Sequence, residues 1–257
     1  MNARGKLIAF QTILTKETLR FARIWVQTVL PPVVTTALYF IIFGNLIGPR
    51  IGTMEGFDYM EFIIPGLIMM AVITNSYANV VSSFYGSKFQ RHIEEMLISP
   101  TPTYVVVLGF VCGGVMRGLT VGCAVTVVSL LFNPLNIHSL PVMFSMILLT
   151  SVLFSLAGLI NGVYANSFDD ISIVPTFVLT PLTYLGGIFY SISMLPEFWQ
   201  QVSRFNPILY LINAFRYGFL GISDISLLTS YTICCGFILA LYLFSLYLLR
   251  TGRGIRT

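Results

Sequence analysis

The sequence predicts an all-α membrane protein built from six transmembrane helices in a single domain. Its mean hydropathy is +0.86, and charged residues make up only 9% of its 257 residues. Soluble domains carry roughly 25% charged residues, so this chain lacks the polar surface that water requires. Its apolar runs are about 20 residues long, the length that crosses a bilayer as a helix. These observations leave no room for a soluble domain of normal size.

Six apolar runs meet this length requirement, and polar segments separate them. The predicted spans are 24–44, 62–84, 104–132, 140–165, 171–190 and 227–249. The single domain, 1–257, is thus predicted to contain a surface helix (1–23), spans one to five (24–190), an outer segment (191–226), span six (227–250) and a tail (251–257). An even number of spans places both termini on the same side of the membrane.

The distribution of lysine and arginine predicts which side that is, because these residues are retained in cytoplasmic segments. Ten of the fourteen lie on the side of the termini: Arg4, Lys6, Lys16, Arg20, Arg23, Lys88, Arg91, Arg250, Arg253 and Arg256. Arg50, Arg204 and Arg216 lie on the other side, and Arg117 lies within the third span. Both termini are therefore predicted to be cytoplasmic. The basic excess favours contact with anionic membrane lipids and not with nucleic acid.

The first predicted element is an amphipathic helix at 1–23. Its apolar residues fall on one side of a helical projection: Leu7, Phe10, Leu14 and Phe21. Its basic residues fall on the other side: Lys16, Arg20 and Arg23. This pattern is typical of a helix that lies flat on the cytoplasmic membrane surface. The alternative is a solvated basic tail.

Polar side chains interrupt spans two and three. Asn75, Asn79 and Ser82 share one face of span two, because they are spaced by four and three residues. They are expected to face protein or a wet cavity, either as interhelical packing or as part of a substrate path. Arg117 lies deep in span three. It is a candidate for the path or for a subunit contact, and equally for a structural pair or a side chain that snorkels to the surface.

Glycines four residues apart form flat ridges in spans three and four. The ridge residues are Gly114, Gly118 and Gly122 in span three, and Gly158 and Gly162 in span four. Such ridges allow another helix to approach closely. We interpret them as packing features without a chemical role.

The outer segment, 191–226, is too broken to span the membrane and too apolar to be an ordinary loop. Pro196 and Pro207 interrupt it, and Gly221 ends it. Aromatic residues accompany its two arginines. We expect two short re-entrant helices that dip into the outer leaflet, where surrounding protein shields their backbone polar groups.

The loop between spans two and three, 87–102, is the most charged internal stretch of the chain. Its apolar residues recur at helical spacing: Phe89, Ile93, Met96 and Leu97. Its polar residues lie on the other side: Lys88, Arg91, His92 and Glu95. This pattern predicts a short amphipathic helix parallel to the membrane, ended by Pro100 and Pro102. The pattern alone leaves open whether this helix docks a cytoplasmic partner or only turns the chain around.

The sequence contains no motif for catalysis. It has no glycine-rich nucleotide loop, no Ser/His/Asp or Cys/His set and no spacing typical of metal ligands. Every acidic residue is assigned to a loop, a tail or a span edge, whereas proton-driven carriers usually hold Asp, Glu or His in the membrane. The chain is therefore predicted not to be an enzyme, and the energy for transport is predicted to enter from outside the membrane. An ion-gradient-driven secondary carrier is the alternative, since backbone carbonyl groups can coordinate sodium.

The segment EEMLISPTP resembles an element that follows the second span in type-2 permeases of ATP-binding-cassette (ABC) transporters. In that family the element reads Glu-x-Leu, two hydrophobic residues, Ser or Thr, and Pro. Glu94 matches the glutamate, and Ser99-Pro100 matches the ending. Arg91-His92 stands where the family often has Gly-Thr. The resemblance favours the docking interpretation of this helix.

A longer stretch, 179–216, resembles the signature of the same family. The matching positions are Leu182, Leu185, Gly186, Ile188, Leu195, Pro196, Pro207, Tyr210 and Arg216. The order of elements also resembles the family plan over nearly the whole chain. Within the family, the sequence is similar to the bacterial YadH-like permease group.

The resemblance implies a complex of several subunits. The chain would form a homodimer, and each copy would bind a separate ABC ATPase, giving two ATPase copies per complex. ATP and Mg²⁺ would bind to the ATPase, and no cofactor would bind to this chain. The resemblance further implies an exporter in the bacterial inner membrane that moves an amphipathic, lipid-linked or drug-like substrate.

The resemblance and the residue pattern together nominate three sets of site residues. The set expected to couple to the ATPase is Lys88, Arg91, Glu94, Glu95, Met96 and Leu97. The family-signature set is Gly186, Pro196, Pro207, Tyr210 and Arg216. The candidate polar residues of a pathway or a subunit contact are Asn75, Asn79 and Arg117.

Overall fold

The computed structural model describes residues 1–134 and 137–254. Arg256, counted above as cytoplasmic, and the last three residues of the predicted tail lie outside the described residues. The helices of the described part are α1 (Ala3–Arg23), α2 (Trp25–Tyr39), α3 (Gly48–Ile51), α4 (Tyr59–Phe89), α5 (His92–Ile98), α6 (Thr103–Ser129), α7 (Leu140–Tyr164), α8 (Asp170–Val174), α9 (Thr180–Tyr184), α10 (Glu197–Arg204), α11 (Pro207–Leu220) and α12 (Leu227–Thr251).

Shorter elements complete the chain. A π-helix at Phe40–Ile47 joins α2 to α3, and a second one at Pro175–Leu179 joins α8 to α9. A 3₁₀ turn at Ile192–Met194 precedes α10. Strands β1 (Thr53–Met54) and β2 (Phe57–Asp58) form an antiparallel hairpin in which Thr53 pairs with Asp58.

Five helical segments in the described residues are long and apolar enough to cross a membrane. They are Trp25–Ile51, Tyr59–Phe89, Thr103–Ser129, Leu140–Tyr164 and Leu227–Thr251. Each coincides with one of the predicted spans one, two, three, four and six. The first helical segment extends seven residues beyond the predicted end at 44 because the π-helix continues it. The second extends past both predicted ends, to Tyr59 and Phe89.

The predicted fifth span, 171–190, needs a correction of its bounds. The helical segment begins at Asp170 and ends at Tyr184, after passing through a π-helical turn that starts at Pro175. At about 1.5 Å per residue, its 15 residues extend for roughly 22 Å, which is less than the thickness of the hydrocarbon core. The chain then turns at Gly187, where φ is 77°. A sixth crossing by this segment therefore stays a prediction.

Helix α4 lies at the centre of the bundle, because it packs against both α6 and α7. In its most apolar window 83% of the residues are buried, compared with 11% in the segment Trp25–Ile51. The glycine ridges make these contacts, as predicted. A Cβ atom at Gly158 of α7 would lie 2.5 Å from the Tyr77 carbonyl oxygen of α4, and one at Gly118 of α6 would clash with Ser76 and Ser151.

Helix α1 is present, and its buried face overlaps only in part with the predicted apolar face. The face that packs against α6 contains Ile13, Glu17 and Phe21, all buried, whereas Leu7 is 57% exposed. The packing follows from the glycines of α6, since a Cβ at Gly109 would meet Ile13 and one at Gly113 would meet Glu17. The buried face is therefore selected by close approach of two helices and not by hydrophobicity alone.

The outer segment contains two short helices, as predicted. Helix α10 follows Pro196, and α11 begins after Asn206, whose side chain accepts the Ile208 N–H at 3.0 Å. Gly221 ends α11 with φ of 74°. Helix α11 is largely buried against α7, α12 and α4. Its backbone is thus shielded by protein, the condition under which a short helix is tolerated at membrane depth.

Candidate functional site

Helix α5 presents a charged surface on a buried apolar anchor. Ile93 is fully buried in a cluster with Phe84 and Val106. Arg91, Glu94 and Glu95 are exposed. Met96 and Leu97, also nominated as coupling residues, are half-buried and pack against the same cluster as Ile93. Of the predicted apolar residues, Phe89 is 65% exposed, because it lies before the turn that reorients the chain into α5.

The turns on both sides of α5 explain two features of the matched motif. Arg91 has φ of 61°, a left-handed conformation that favours glycine, and it stands where the resemblance led us to expect glycine. At the other end, the Ser99 hydroxyl donates to the Met96 carbonyl oxygen at 2.7 Å. Pro100 follows in the sequence and cannot continue the helix. The motif residues thus set the length and direction of α5.

Lys88 has contacts that differ from those expected of a coupling residue. Its Nζ atom donates to the carbonyl oxygens of Val163 and Ala165, at 2.8 and 2.7 Å. These oxygens lie at the end of α7, where carbonyl groups lack partners within the helix. Lys88 therefore joins the end of α4 to the end of α7. Whether it also contacts an ATPase stays a prediction.

The chain between α7 and α8 is stabilised by a carboxylate. The backbone N–H groups of Asn166 and Ser167 donate to the Asp170 carboxylate at 2.9 and 3.1 Å. These hydrogen bonds, the one from Asn166 first, lower the pKa of Asp170 from its ordinary value. Together with Lys88, they order the turn beside α5.

Arg216 of the family signature is buried in the outer half of the bundle and is only 2% exposed. Its Nη2 atom donates to the Gly187 carbonyl oxygen at 2.6 Å, and its guanidinium carbon lies 3.9 Å from the centre of the Phe62 ring. It thus ties α11 to the turn after α9 and to α4. On the nearby loop, burial, followed by the charge of Glu55, raises the pKa of Asp224.

The remaining signature residues stabilise the same region. A Cβ at Gly186 would lie 2.8 Å from Ile208, so only glycine allows this approach. Pro207 occupies the first turn of α11, where a missing N–H costs nothing. The Tyr210 hydroxyl donates to the Arg204 carbonyl oxygen at 2.7 Å. Pro196 immediately precedes α10. The signature residues therefore stabilise the fold of the outer segment and of the turn that precedes it.

The asparagines of span two each bind an arginine from a different helix. Arg117 of α6 donates from Nη2 to Asn75 Oδ1 at 3.2 Å. Arg20 of α1 donates from Nη2 to Asn79 Oδ1 at 2.7 Å and to the Asn79 carbonyl oxygen at 2.8 Å. The structure thus pairs Asn75 with Arg117, and it pairs Asn79, one helical turn further along α4, with Arg20. Arg20, predicted on the basic side of the surface helix, thus contacts α4.

Sequence reasoning missed Glu17, which was assigned to the tail before the first span. Its side chain is fully buried between α1 and the bundle. The Ser83 hydroxyl donates to Glu17 Oε1 at 2.7 Å, and Arg20 lies 3.5 Å from Oε2. The available signal was positional, because Glu17 lies midway between Ile13 and Phe21 at spacings of four. Hydropathy did not indicate the burial of Glu17, since a carboxylate is normally expected at the protein surface.

A cavity of about 370 Å³ lies next to this network, between α2, α4 and α6. Asn75 and Arg117 contribute to its wall, and Gln27 and Thr74 lie beside them. The cavity is separate from α5 and from the signature residues of the outer segment. The three predicted sets therefore occupy three different places along the bundle.

Comparisons with known proteins identify the family of the chain. The sequence model of the ABC-2 type transporter family matches residues 8–220. The chain is 61% identical over 250 residues to the inner membrane transport permease YadH of Escherichia coli K12, covering 97% of this chain and 98% of YadH. It is 24% identical over 214 residues to nodulation protein J of Rhizobium leguminosarum bv. viciae, covering 83% of each chain. For nodulation protein J of Rhizobium meliloti, the identity is 24% over 204 residues, covering 79% of this chain and 78% of that protein.

The matched region includes α5, the signature segment and the helices that surround the cavity. Relatives in this family are named transport permeases, which are not themselves enzymes. Family membership also implies association with an ABC ATPase. The chain is a transport permease and belongs to the ABC-2 type transporter family.

Proposed function

We propose that this chain is the membrane subunit of an ABC exporter and that two copies form its transport path. A separate ATPase, also in two copies, binds ATP and Mg²⁺ and drives the cycle. The cargo is an amphipathic, lipid-linked or drug-like compound that leaves the cytoplasmic side. Both termini are cytoplasmic. The location is the bacterial inner membrane, which the name of the E. coli relative also specifies, and the surrounding lipids contact the basic surface helix.

The observation that carries this proposal is the geometry of α5. A short helix with a buried anchor at Ile93 and exposed carboxylates at Glu94 and Glu95 can transmit force, because the anchor couples its movement to the bundle. Helix α5 follows α4 directly, and α4 contacts both α6 and α7. A displacement of α5 by the ATPase would therefore bias the packing of the central helices.

Charge reversal at Glu94 tests this role. The permease, unchanged or carrying Glu94→Lys, is co-purified with the proposed partner ABC ATPase, and the ATPase rate of the complex is measured. We expect Glu94→Lys to reduce complex formation or the rate in the complex at least tenfold, since reversing a charge at an interface costs a few kcal/mol and about 1.4 kcal/mol already corresponds to tenfold. The amount of permease inserted in the membrane should not change.

Glu197→Lys is the matched control, because Glu197 is also exposed but lies in α10 of the predicted outer segment. It should leave complex formation and ATPase rate unchanged. Absence of a complex with the unchanged permease would refute the proposed function. Equal losses from Glu94→Lys and Glu197→Lys would refute the role of α5.

An ion-gradient-driven secondary carrier is the second candidate, and the buried carboxylate of Glu17 favours it. A carboxylate that contacts Ser83 and Arg20 inside the bundle has the chemistry of a proton relay. Liposomes that contain only this chain distinguish the two candidates. Uptake driven by a proton or sodium gradient and abolished by Glu17→Gln would support the carrier, whereas flux that requires the ATPase and ATP supports the exporter.

A further inference from the structure

The cavity between α2, α4 and α6 has the properties of a binding site for a small molecule. Its volume of about 370 Å³ falls in the range of roughly 300–1,000 Å³ typical of such sites. Much of its wall is apolar, including Pro31 and Pro32 of α2 and Leu67 and Met70 of α4. Polar side chains also contribute to the wall, and Arg117 is its one charged residue among those that the structure describes. Small-molecule sites commonly combine an apolar wall with a few oriented polar groups.

Arg117 has unused hydrogen-bonding capacity. A guanidinium group has five N–H donors. Among the described residues Arg117 makes one hydrogen bond, from Nη2 to Asn75 Oδ1, and its buried Nε atom has no acceptor. A buried polar group without a partner is costly, and a buried charge is more so. Because Arg117 lines the cavity, an anion there would supply acceptors for its remaining Nη donors.

The positive charge of Arg117 is also not compensated by the protein. Within the described part of the chain, no carboxylate lies within 4.0 Å of its guanidinium group. The nearby Glu17 is paired with Arg20 and Ser83 instead. The group formed by Glu17, Arg20 and Arg117 therefore has a net charge of +1 when all three are ionised. This excess favours an anionic ligand.

The position of the cavity indicates that the ligand also has an apolar part. Helix α6 contacts Glu17 of α1 at Gly113. Arg117 follows Gly113 by four residues, a rise of about 6 Å along α6 away from this contact. From there the wall continues along α4 to Leu67 and along α2 to Tyr39, towards the predicted outer side. A head group at Arg117 would thus leave space for an apolar chain directed into the membrane.

We propose that this cavity binds an amphipathic anion, with a phosphate, sulfate or carboxylate head group at Arg117 and an alkyl or acyl chain along α2. This inference rests on the proposed function and extends that function by naming the class of compound that the exporter moves. The binding itself requires only this chain. Arg117 then serves as the specificity-determining residue of the path.

Binding to the purified full chain in a neutral maltoside detergent tests the site. Dissociation constants are measured by native mass spectrometry for dodecyl phosphate, dodecyltrimethylammonium and inorganic phosphate. We expect dodecyl phosphate to bind at least tenfold more tightly than either of the others, since the cation lacks a charged acceptor and phosphate lacks the chain. Equal affinities for the anionic and cationic amphiphiles, or for dodecyl phosphate and inorganic phosphate, would overturn the proposal without any mutation.

Substitution of Arg117 localises the binding. Arg117→Gln should weaken binding of dodecyl phosphate roughly tenfold or more, and Arg117→Lys should weaken it less because the charge is kept. Arg204→Gln is the matched control, since Arg204 is exposed in α10 and far along the chain from the cavity. An unchanged affinity in Arg117→Gln, or an equal loss in Arg204→Gln, would contradict the assignment of the site.

The role as a substrate is tested separately in the complex with the ATPase. Dodecyl phosphate should raise the ATPase rate of the wild-type complex at least twofold and have no such effect on the Arg117→Gln complex. If the probe binds but leaves the wild-type rate unchanged, the cavity is not a substrate site. If no complex forms, the proposed function fails, whereas the binding measurements on the permease alone still decide the site.

Discussion

At the scale of single residues, Arg216 illustrates how a signature position can be structural. Its side chain is nearly fully buried, donates to Gly187 and stacks on Phe62. A charge placed there is tolerated because these contacts replace part of its hydration. The sequence placed Arg216 in the re-entrant outer segment, and its burial depends on how α11 docks against α4, α7 and α12. Such docking cannot be read from local composition.

Arg216→Lys should therefore destabilise the protein although it keeps the charge. An ammonium group cannot reproduce the planar stacking on Phe62 together with the bond to Gly187. We expect a loss of roughly 2–4 kcal/mol in the free energy of unfolding, measured as a lower midpoint of thermal or denaturant unfolding in detergent. Arg204→Lys, at an exposed site, should change it by less than about 0.5 kcal/mol. Similar effects of both substitutions would contradict this account.

Three basic residues show why sequence reasoning could not assign individual contacts. Lys88, predicted to couple to an ATPase, binds carbonyl oxygens at the end of α7. Arg20, predicted on the basic side of the surface helix, binds Asn79. Arg117 was left open between a structural pair and a path, and it both binds Asn75 and borders a cavity. Each partner is distant in sequence, so the spacing of residues along one helix cannot predict these contacts.

At the scale of elements, the amphipathic pattern succeeded for α5 and only in part for α1. In α5, Ile93, Met96 and Leu97 pack inward, as their spacing predicts. In α1, the glycines at 109 and 113 create a shallow groove on α6, and this groove accepts Ile13 and Glu17. The partner surface, and not the apolar residues of α1, therefore decides which face is buried. Glu17 was assigned to the tail before the first span, and the structure buries it inside the bundle instead.

The contact between α7 and α4 depends on Gly158. A Cβ at this position would lie 2.5 Å from the Tyr77 carbonyl oxygen, and a backbone atom cannot move aside as a flexible side chain can. Gly158→Ala should therefore separate the two helices and destabilise the protein by about 1–3 kcal/mol. The measurement is the unfolding free energy of the purified chain in detergent.

Gly236 of α12 provides the matched control, because a Cβ there meets nothing within 4 Å. Gly236→Ala should be neutral or should stabilise the protein by up to about 1 kcal/mol, since alanine has the higher helix propensity. A Gly158→Ala protein as stable as the Gly236→Ala protein would show that the α4–α7 contact tolerates a methyl group.

At the scale of the whole molecule, the number of crossings depends on the segment Asp170–Tyr184. Cysteine labelling tests it in a background where the four native cysteines are replaced by serine. Single cysteines are then placed at Asp169 and Glu197, both exposed positions on either side of the segment. We expect an impermeant maleimide to label Glu197→Cys in intact cells and Asp169→Cys only after permeabilisation. Labelling of both from the same side would exclude a sixth crossing and the predicted placement of the termini.

The sequence by itself determined the membrane class, five of the six predicted spans as long apolar helices, the short helix α5 and the resemblance to the permease family. These features depend on hydropathy, helical spacing and local motifs, all of which are properties of neighbouring residues. Only the tertiary structure decided that Glu17 meets Ser83, 66 positions away, and that Arg117 meets Asn75, 42 positions away, beside a cavity. Such pairs form because glycine contacts fix how the helices approach, and this close packing brings together residues whose local sequence contains no sign of each other.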